Sequence, residues 1–317
     1  MRVLGVPVLI SLLTGCSVLS IDLTPRIQPL QESTVEGTGS SKILLVDLSG
    51  VLSEAPTLTI GQAPPRVPLL ARVREELKKA EEDDAVRALV VKINSPGGTV
   101  TATDILYREL SAFKARRKVP VVATIMDVGA SGGYYVALAA DTIVAHPTTV
   151  TGSIGVMMLT VNAEGLLKQV GVAPLTIKSG AKKDMGSPFR GLSEEERRIF
   201  QAIIDDLHGR FVGLIAKERR LPPEKVRELA DGRVFTAEQA RSLGLVDQVG
   251  YLEEALVAAR RAAGLSEARV VMYHRPRQYR ATVYATARTA EPLASSLAEV
   301  SSLLLGPGPR FLYLWWP

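Results

Sequence analysis

Continuous apolar runs alternate with helical patterns from residue 42 onward. The apolar runs are rich in β-branched residues and predict buried strands at 43–48, 86–93, 119–125, 142–145 and 174–177. Between them, apolar residues recur at helical spacing, which predicts helices at 69–82, 102–116, 133–140 and 163–170. Strands that are apolar throughout and alternate with helices are typical of a mostly parallel sheet covered by helices. The pattern therefore predicts an α/β fold.

Two later helices are predicted from their first residues. Ser193 followed by Glu196 predicts a capping box that opens a long helix with apolar positions at helical spacing. Thr236 is expected to cap a short helix that stops at Gly244. No internal repeat and no second folded domain are visible in the sequence.

The first residues have the pattern of a secretory signal peptide. Arg2 precedes an apolar run at 3–13 that is too short to span a bilayer. The run ends in Leu-Thr-Gly before Cys16, the only cysteine, and this sequence resembles the lipobox at which bacterial lipoprotein precursors are cleaved and lipidated. A chance free thiol behind an ordinary signal peptide is the alternative. We expect a signal peptide at 1–15 and a diacylglyceryl anchor on Cys16.

The anchor implies a cell-envelope protein on the periplasmic or outer side of a bacterial membrane. Ser17, rather than Asp, follows the cysteine and favours the outer membrane. Residues 16–41 lack periodicity and are rich in Pro, Gln, Ser, Thr and Gly, so we expect a lipidated tether there.

The composition excludes several classes of partner. The formal net charge is +5, but basic and acidic residues are interspersed along predicted helices, as at 72–84 and 194–220, so no nucleic-acid partner is expected. The single cysteine and the three scattered histidines show no ligand spacing, so neither a metal nor a cofactor is expected.

Ser131 lies between glycines where a predicted strand meets a predicted helix. At a helix N-terminus, free backbone N–H groups and the helix dipole can stabilise an oxyanion, and small neighbours let a substrate backbone approach. These features indicate a serine nucleophile, although a Gly-Ser-Gly segment can also be only a tight turn.

A serine nucleophile needs a base, and His146, His208 and His274 do not lie in site-like surroundings. A lysine can act as the base when apolar surroundings lower its pKa from about 10.4. Lys183 follows the predicted strand at 174–177 and is the candidate, with a plain surface charge as the alternative.

Six short motifs then resemble, in their order and spacing, the signal peptide peptidase A family of serine peptidases. They are Asn-Ser-Pro-Gly-Gly at 94–98, Gly-Ala-Ser-Gly-Gly-Tyr-Tyr at 129–135, Thr-Gly-Ser-Ile-Gly-Val at 151–156, Ser-Gly-Ala-Lys-Lys-Asp at 179–184, Asp-Gly-Arg-Val at 231–234 and Gly-Leu-Val-Asp at 244–247. The resemblance covers residues 42–264, which we take as the peptidase domain, followed by a C-terminal extension with an apolar tail at 265–317.

The resemblance implies a Ser-Lys dyad on a Clp/crotonase-like fold, a repeated β-β-α spiral. It assigns Ser131 as the nucleophile, Lys183 as the general base and Ser153 as the hydroxyl that orients the lysine. The N–H groups of Gly98 and Gly132 would form the oxyanion hole. It also implies an endopeptidase of hydrophobic peptides, such as signal-peptide remnants, in a ring-like homo-oligomer where the serine of one subunit meets the lysine of its neighbour.

Two features depart from the family pattern. Members are commonly held by a transmembrane helix, whereas this chain has the lipobox-like sequence. Lys182 precedes the assigned base where members often carry Tyr or His, so it is a rival one residue away.

Two other functions stay open on the sequence alone. Gly129-x-Ser131-x-Gly133 fits the nucleophile elbow of an α/β-hydrolase esterase, which would require a downstream Asp and His. A non-catalytic lipoprotein scaffold on a peptidase fold is the other alternative.

Overall fold

The computed structural model describes residues 27–54, 67–276, 278–286 and 309–315. The predicted signal peptide at 1–15 and Cys16 lie outside the described residues. Of the parts that are described, no helix is both long and apolar enough to cross a membrane.

The described residues form strands and helices that alternate along the chain. The strands are β1 Gln31–Glu36, β2 Lys42–Ser49, β3 Val86–Ser95, β4 Gly97–Thr99, β5 Val121–Ala130, β6 Thr142–Ala145, β7 Val150–Gly152, β8 Met157–Leu159, β9 Val234–Thr236, β10 Gln248–Val249, β11 Arg269–His274 and β12 Arg310–Leu314. The helices are α1 Leu69–Glu81, α2 Val100–Arg117, α3 Gly132–Ala137, α4 Glu164–Gln169, α5 Glu194–Arg219, α6 Pro223–Leu229, α7 Ala237–Ser242 and α8 Leu252–Ala262.

The main sheet has the order β1-β11-β2-β3-β5-β6-β10, with β7 added beside β5 and β9 beside β7. Its central pairs are parallel, and the antiparallel pairs are β1 with β11 and β7 with β9. A second, antiparallel sheet has the order β4-β12-β8. The predicted α/β class with a mostly parallel sheet is confirmed.

Helices cover both faces of the main sheet. Leu44, Val46 and Leu48 alternate along β2 and pack on one face with buried side chains of α1, α2 and α3. Ile43 and Leu45 point to the opposite face and pack against α8. Because both faces are buried, the strands are apolar at nearly every position, which is the reason they were recognisable as continuous runs.

The sheet extends beyond the predicted domain limits of 42–264. Residues 31–36, inside the predicted tether, form β1 and pair antiparallel with β11, which itself lies in the predicted C-terminal extension. The sequence of β1 is largely polar and its residues are mostly exposed, so no hydrophobic pattern marked it as a strand.

The strand predicted at 174–177 is wrong. These residues form no strand, and Leu175 and Ile177 are 89% and 93% exposed. They belong to a segment at 160–191, here called the lysine arm, whose regular element is the short α4. Among the described residues no strand pairs with this apolar run, and an isolated strand has no ladder partner for its backbone groups.

Candidate active site

The two predicted site serines lie at the carboxyl ends of neighbouring parallel strands. Ser131 follows β5, and Ser153 follows β7; Ala130 and Gly152 are register partners in the pair that these strands form. The turn after β3 lies at the same edge of the sheet, because Ser95 at the end of β3 is the register partner of Gly129 in β5. Ligand and catalytic sites of parallel α/β sheets form at this edge.

Ser131 has a backbone conformation that is uncommon for a residue with a side chain. Its φ is 51° and its ψ is −115°. Its N–H donates to the Gly152 carbonyl at 2.7 Å, and its own carbonyl accepts from the Tyr135 N–H at 2.9 Å. These two hydrogen bonds hold the residue in a strained region of φ/ψ space, as is common at functional sites.

The Ser131 hydroxyl is buried without a partner. The residue is 1% exposed, and its Oγ makes no hydrogen bond within the described part of the chain. Buried polar groups are nearly always hydrogen-bonded, so an unpaired hydroxyl requires an explanation. It is free to bond to a group that another molecule supplies.

Glycines around Ser131 leave no room for side chains. A β-carbon on Gly132 would lie 2.6 Å from Oγ1 of Thr103, and one on Gly98 would lie 1.8 Å from the Leu52 carbonyl oxygen. Gly132 is the first residue of α3, so its N–H has no acceptor within that helix. The close approach of Thr103 and Leu52 therefore explains why both positions are glycine.

Ser153 is held by the strand beside it. Its φ is 49°, and its N–H donates to the Arg233 carbonyl at 2.7 Å. Arg233 in turn forms an ion pair with Asp231, and β9 begins at the next residue and pairs with β7. The Asp-Gly-Arg-Val motif therefore supports the serine through the backbone.

Lys183 is not brought into contact with Ser131. The lysine is exposed on the lysine arm, and its ammonium has no hydrogen bond or ion pair within the described residues. The rival Lys182 forms an ion pair with Glu195. Of the two lysines, Lys183 is therefore the one whose amine has no hydrogen-bond or ion-pair partner among the described residues.

Ion pairs fix the lysine arm to the start of α5. Arg190 donates to Asp184 at 2.7 Å and to Glu196 at 2.6 Å, and Lys178 also donates to Asp184 at 2.6 Å. The hydrogen bond from Arg190 is the main reason that the pKa of the Asp184 carboxyl lies far below its usual value. Asp184, the residue directly after Lys183, is therefore held by Arg190 and Lys178.

None of the three histidines contacts Ser131. His146 Nδ1 is 2.8 Å from Oγ1 of Thr148, His208 Nε2 is 2.8 Å from the Ala230 carbonyl, and His274 Nε2 is 2.8 Å from Oγ of Ser33. The esterase alternative therefore lacks its base. No group of three or more His, Cys, Asp or Glu that could hold a metal occurs among the described residues.

The sequence reasoning missed one part of the site, the strand β12 near the C-terminus. It pairs with β4, which contains Gly98, and the Tyr313 carbonyl oxygen lies 3.0 Å from where a β-carbon on Gly132 would be. The apolar tail was recognised, but sequence gives no indication of which groove such a segment enters.

Comparisons with known proteins agree with these motifs. The sequence profile of peptidase family S49 matches residues 113–266. A putative signal peptide peptidase SppA of Enterococcus faecium is 36% identical over 250 residues, which are 77% of this chain and 70% of that protein. A putative protease of Synechocystis sp. is 46% identical over 61% of this chain and 69% of its own length.

Two further proteins match with smaller coverage or lower identity. Protease 4 of Salmonella typhi is 36% identical over 61% of this chain and 31% of its own length. A ClpP1 mutant structure from Listeria monocytogenes superposes with a TM-score of 0.43 at 18% identity, covering 67% of this chain and 94% of that one. With the Enterococcus and Synechocystis relatives and the motifs around Ser131, the chain belongs to peptidase family S49 and is a serine peptidase of the signal peptide peptidase A family.

Proposed function

We propose that the protein is a membrane-anchored endopeptidase of the cell envelope that cleaves hydrophobic peptides, such as signal-peptide remnants, with a Ser131–Lys183 dyad. The observation that carries this proposal is the buried, unpaired Ser131 hydroxyl beside glycine N–H groups at the carboxyl edge of the sheet. A structural serine at this depth would be expected to have a hydrogen-bond partner.

The chemistry follows from these groups. The Ser131 Oγ attacks the scissile carbonyl carbon while the neutral Lys183 amine takes its proton, and the N–H groups of Gly98 and Gly132 stabilise the oxyanion. The resulting ammonium then protonates the leaving amine, and the C–N bond breaks to give an acyl-enzyme. Water, deprotonated by the same amine, hydrolyses the ester and restores Ser131. Ser153 would orient the lysine.

The dyad is proposed to form between subunits. Among the described residues no base is hydrogen-bonded to the Ser131 hydroxyl, whereas Lys183 lies on an exposed arm. The lysine arm also exposes Leu166, Leu175 and Ile177, and exposed apolar surface of this kind is typical of contact with another protein. A ring-like homo-oligomer would cover these side chains and bring each Lys183 to a neighbouring serine.

Labelling with a fluorophosphonate probe tests the dyad. Wild-type protein should be labelled, and Ser131→Ala should not. Lys183→Ala and Lys183→Arg should both lose labelling and peptide hydrolysis, since a guanidinium does not deprotonate in this pH range. Lys182→Ala is the matched control and should stay active. Loss of activity in Lys182→Ala alone would transfer the role of base to Lys182.

Subunit mixing tests where the dyad forms. Inactive Ser131→Ala and inactive Lys183→Ala proteins, mixed under conditions that exchange subunits, should regain part of the activity. A ring can regain activity only where an intact Ser131 meets an intact Lys183 from the other variant. No recovery despite exchange shown by mass spectrometry, or full activity in a verified monomer, would place the dyad within one chain.

We also propose that Cys16 carries the lipid anchor, on the basis of the Leu-Thr-Gly-Cys sequence. Mass spectrometry of the mature protein should show an acylated N-terminus at Cys16, and Cys16→Ala should prevent processing there. A free thiol at this position, or a mature chain that starts elsewhere, contradicts the proposal.

A further inference from the structure

Ser153 has a left-handed backbone conformation, which is uncommon for a residue with a side chain. Its φ is 49°, and the residue is 8% exposed. Gly152 before it has a φ of 91°, and a β-carbon there would lie 2.6 Å from the Phe235 ring. Such conformations persist where the surrounding structure fixes them. The direction of the Ser153 side chain therefore depends on the contacts that hold its backbone.

A turn at 231–233 makes these contacts. The Ser153 N–H donates to the Arg233 carbonyl at 2.7 Å, and the Gly232 N–H donates to the Ile154 carbonyl at 3.2 Å. The two hydrogen bonds continue the antiparallel pairing of β7 with β9. One of them holds the peptide group before the Ser153 side chain and the other holds the carbonyl of the next residue. The turn therefore fixes the backbone on both sides of this side chain.

The Asp231 carboxylate shapes the turn. Its Oδ1 accepts from the Arg233 backbone N–H at 3.1 Å and from the Arg233 Nε at 2.8 Å, and its Oδ2 accepts from the same Nε at 2.9 Å. An aspartate that accepts from the N–H two residues later forms an Asx turn. Gly232, the residue between, has a φ of 89°, which glycine adopts without steric cost. Asp231 thus holds the backbone of the residue whose carbonyl accepts from Ser153.

The ion pair between Asp231 and Arg233 lies at the surface. The two side chains are 49% and 59% exposed, respectively, and exposed ion pairs add little to stability. The hydrogen bond from Arg233 is the main cause that lowers the pKa of Asp231 to about 2 from 3.8. The carboxylate is therefore charged at every pH at which a lysine can act as a base. Replacing Asp231 should change the turn without unfolding the protein.

We propose that Asp231 is a positioning residue for the reaction: by closing the turn at 231–233 it fixes Ser153, and thereby the direction in which the Ser153 hydroxyl meets the Lys183 amine. The proposal rests on the proposed function, since it takes Ser153 as the group that orients the lysine. Asp231 acts through Ser153 and not on the substrate. Its loss should therefore lower kcat and leave KM nearly unchanged.

Substitutions at Asp231 separate the turn from the ion pair. The assay is hydrolysis of a quenched fluorogenic peptide with an Ala-Leu-Ala-Leu core by the full chain. Asp231→Ala should lower kcat roughly tenfold, the effect of one hydrogen bond, with KM changed by less than about twofold. Asp231→Asn keeps the turn acceptor without the charge and should restore at least about half of the wild-type kcat. Asp231→Glu keeps the charge, but its longer side chain does not favour this turn, so its kcat should be as low as that of Asp231→Ala.

A neighbouring ion pair provides the matched control. Glu238 lies 2.9 Å from Arg241 in α7, and its side chain is 63% exposed. Glu238→Ala removes an exposed ion pair as Asp231→Ala does, and it should leave kcat at the wild-type value. If the ion pair of Asp231 were what matters, glutamate would restore kcat and asparagine would not. That reversed order overturns the inference, and it decides the matter even if Asp231→Ala does not fold.

A double-mutant cycle with Ser153 tests whether Asp231 acts through that serine. Ser153→Ala should itself lower kcat, and adding Asp231→Ala should then cost less than about a further twofold, because the group to be positioned is gone. A full additional tenfold loss in the double variant, or an undiminished kcat in Asp231→Ala while Ser153→Ala is impaired, overturns the inference and leaves the proposed function standing. Wild-type kcat in Ser153→Ala would instead refute the role of Ser153 in the proposed function, and the inference would fall with it.

Discussion

Replacing the proposed nucleophile by alanine is expected to stabilise the fold. The Ser131 Oγ is buried and has no hydrogen bond within the described residues, and the side chain does not cap α3. A buried hydroxyl without a partner costs about 1–3 kcal/mol of unfolding free energy through desolvation. Ser131→Ala removes this cost, and since alanine keeps the β-carbon, the backbone strain at φ 51° stays the same. We expect a gain of about 1–2 kcal/mol.

A second buried serine provides the matched control. Ser95 is 0% exposed, but its Oγ donates to the Gly50 carbonyl at 2.6 Å and accepts from the Gly97 N–H at 3.1 Å. Ser95→Ala leaves both backbone groups without this partner, so it should lower the unfolding free energy by about 1–3 kcal/mol. The same substitution at two equally buried serines is thus expected to have opposite signs.

Urea and thermal unfolding measure both variants. The comparison is made in the Lys183→Ala background, because that change removes the proposed partner of the Ser131 hydroxyl in an assembled ring. A gain of 1 kcal/mol corresponds to a rise of about 2–4 °C in Tm for a domain of this size. If Ser131→Ala destabilises the protein as much as Ser95→Ala does, then the hydroxyl has a partner in its own chain and the reasoning fails.

Three further predictions concern stability. Lys92 is buried with its Nζ 3.2 Å from Asp47 Oδ1, so Lys92→Met should cost about 3–5 kcal/mol in urea unfolding, and Asp47→Asn in the same chain should recover part of that loss. The hydrogen bond from Arg190 is the main cause that lowers the pKa of Glu196 to about 2 from 4.5. The stabilisation is therefore complete above pH 4.5 and is lost as the pH falls towards 2. Arg190→Gln should flatten the fall of Tm in this range, and an unchanged slope would contradict the assignment. Ser193→Ala removes the capping box of α5 and should lower the unfolding free energy by about 1 kcal/mol in the same urea assay.

Much of the fold was predictable because local signals and tertiary structure agree. The apolar runs that became β2, β3 and β6 and the capping residues Ser193 and Thr236 are recognisable without knowledge of their neighbours. The continuous apolar runs reflect strands that are buried on both faces of the sheet. The capping residues reflect helix N–H groups that need an acceptor. The run at 174–177 has the composition of a strand, but the described part of the chain places no partner strand beside it, so its local pattern misled the prediction.

The candidate site likewise has a part that the sequence predicted and a part that it did not. Ser131 and its glycines were identified because a strand-to-helix turn has a local signature, and the arrangement of Ser131 beside Ser153 follows from the parallel pairing of β5 and β7. The position of Lys183 could not be derived, since it depends on an arm that packs against little of its own chain.

By itself, the sequence determined the α/β class, the position of the serine at a strand end and the motifs shared with signal peptide peptidase A relatives. Tertiary structure decided which groups surround that serine: the unpaired hydroxyl, the carbonyl of Tyr313 beside Gly98, and the separation of Ser131 from Lys183. The reason is physical. Periodicity and capping are set by a few successive residues, whereas the pairing of β12 with β4 joins segments that are distant in the chain, and their contact depends on the closure of the whole core.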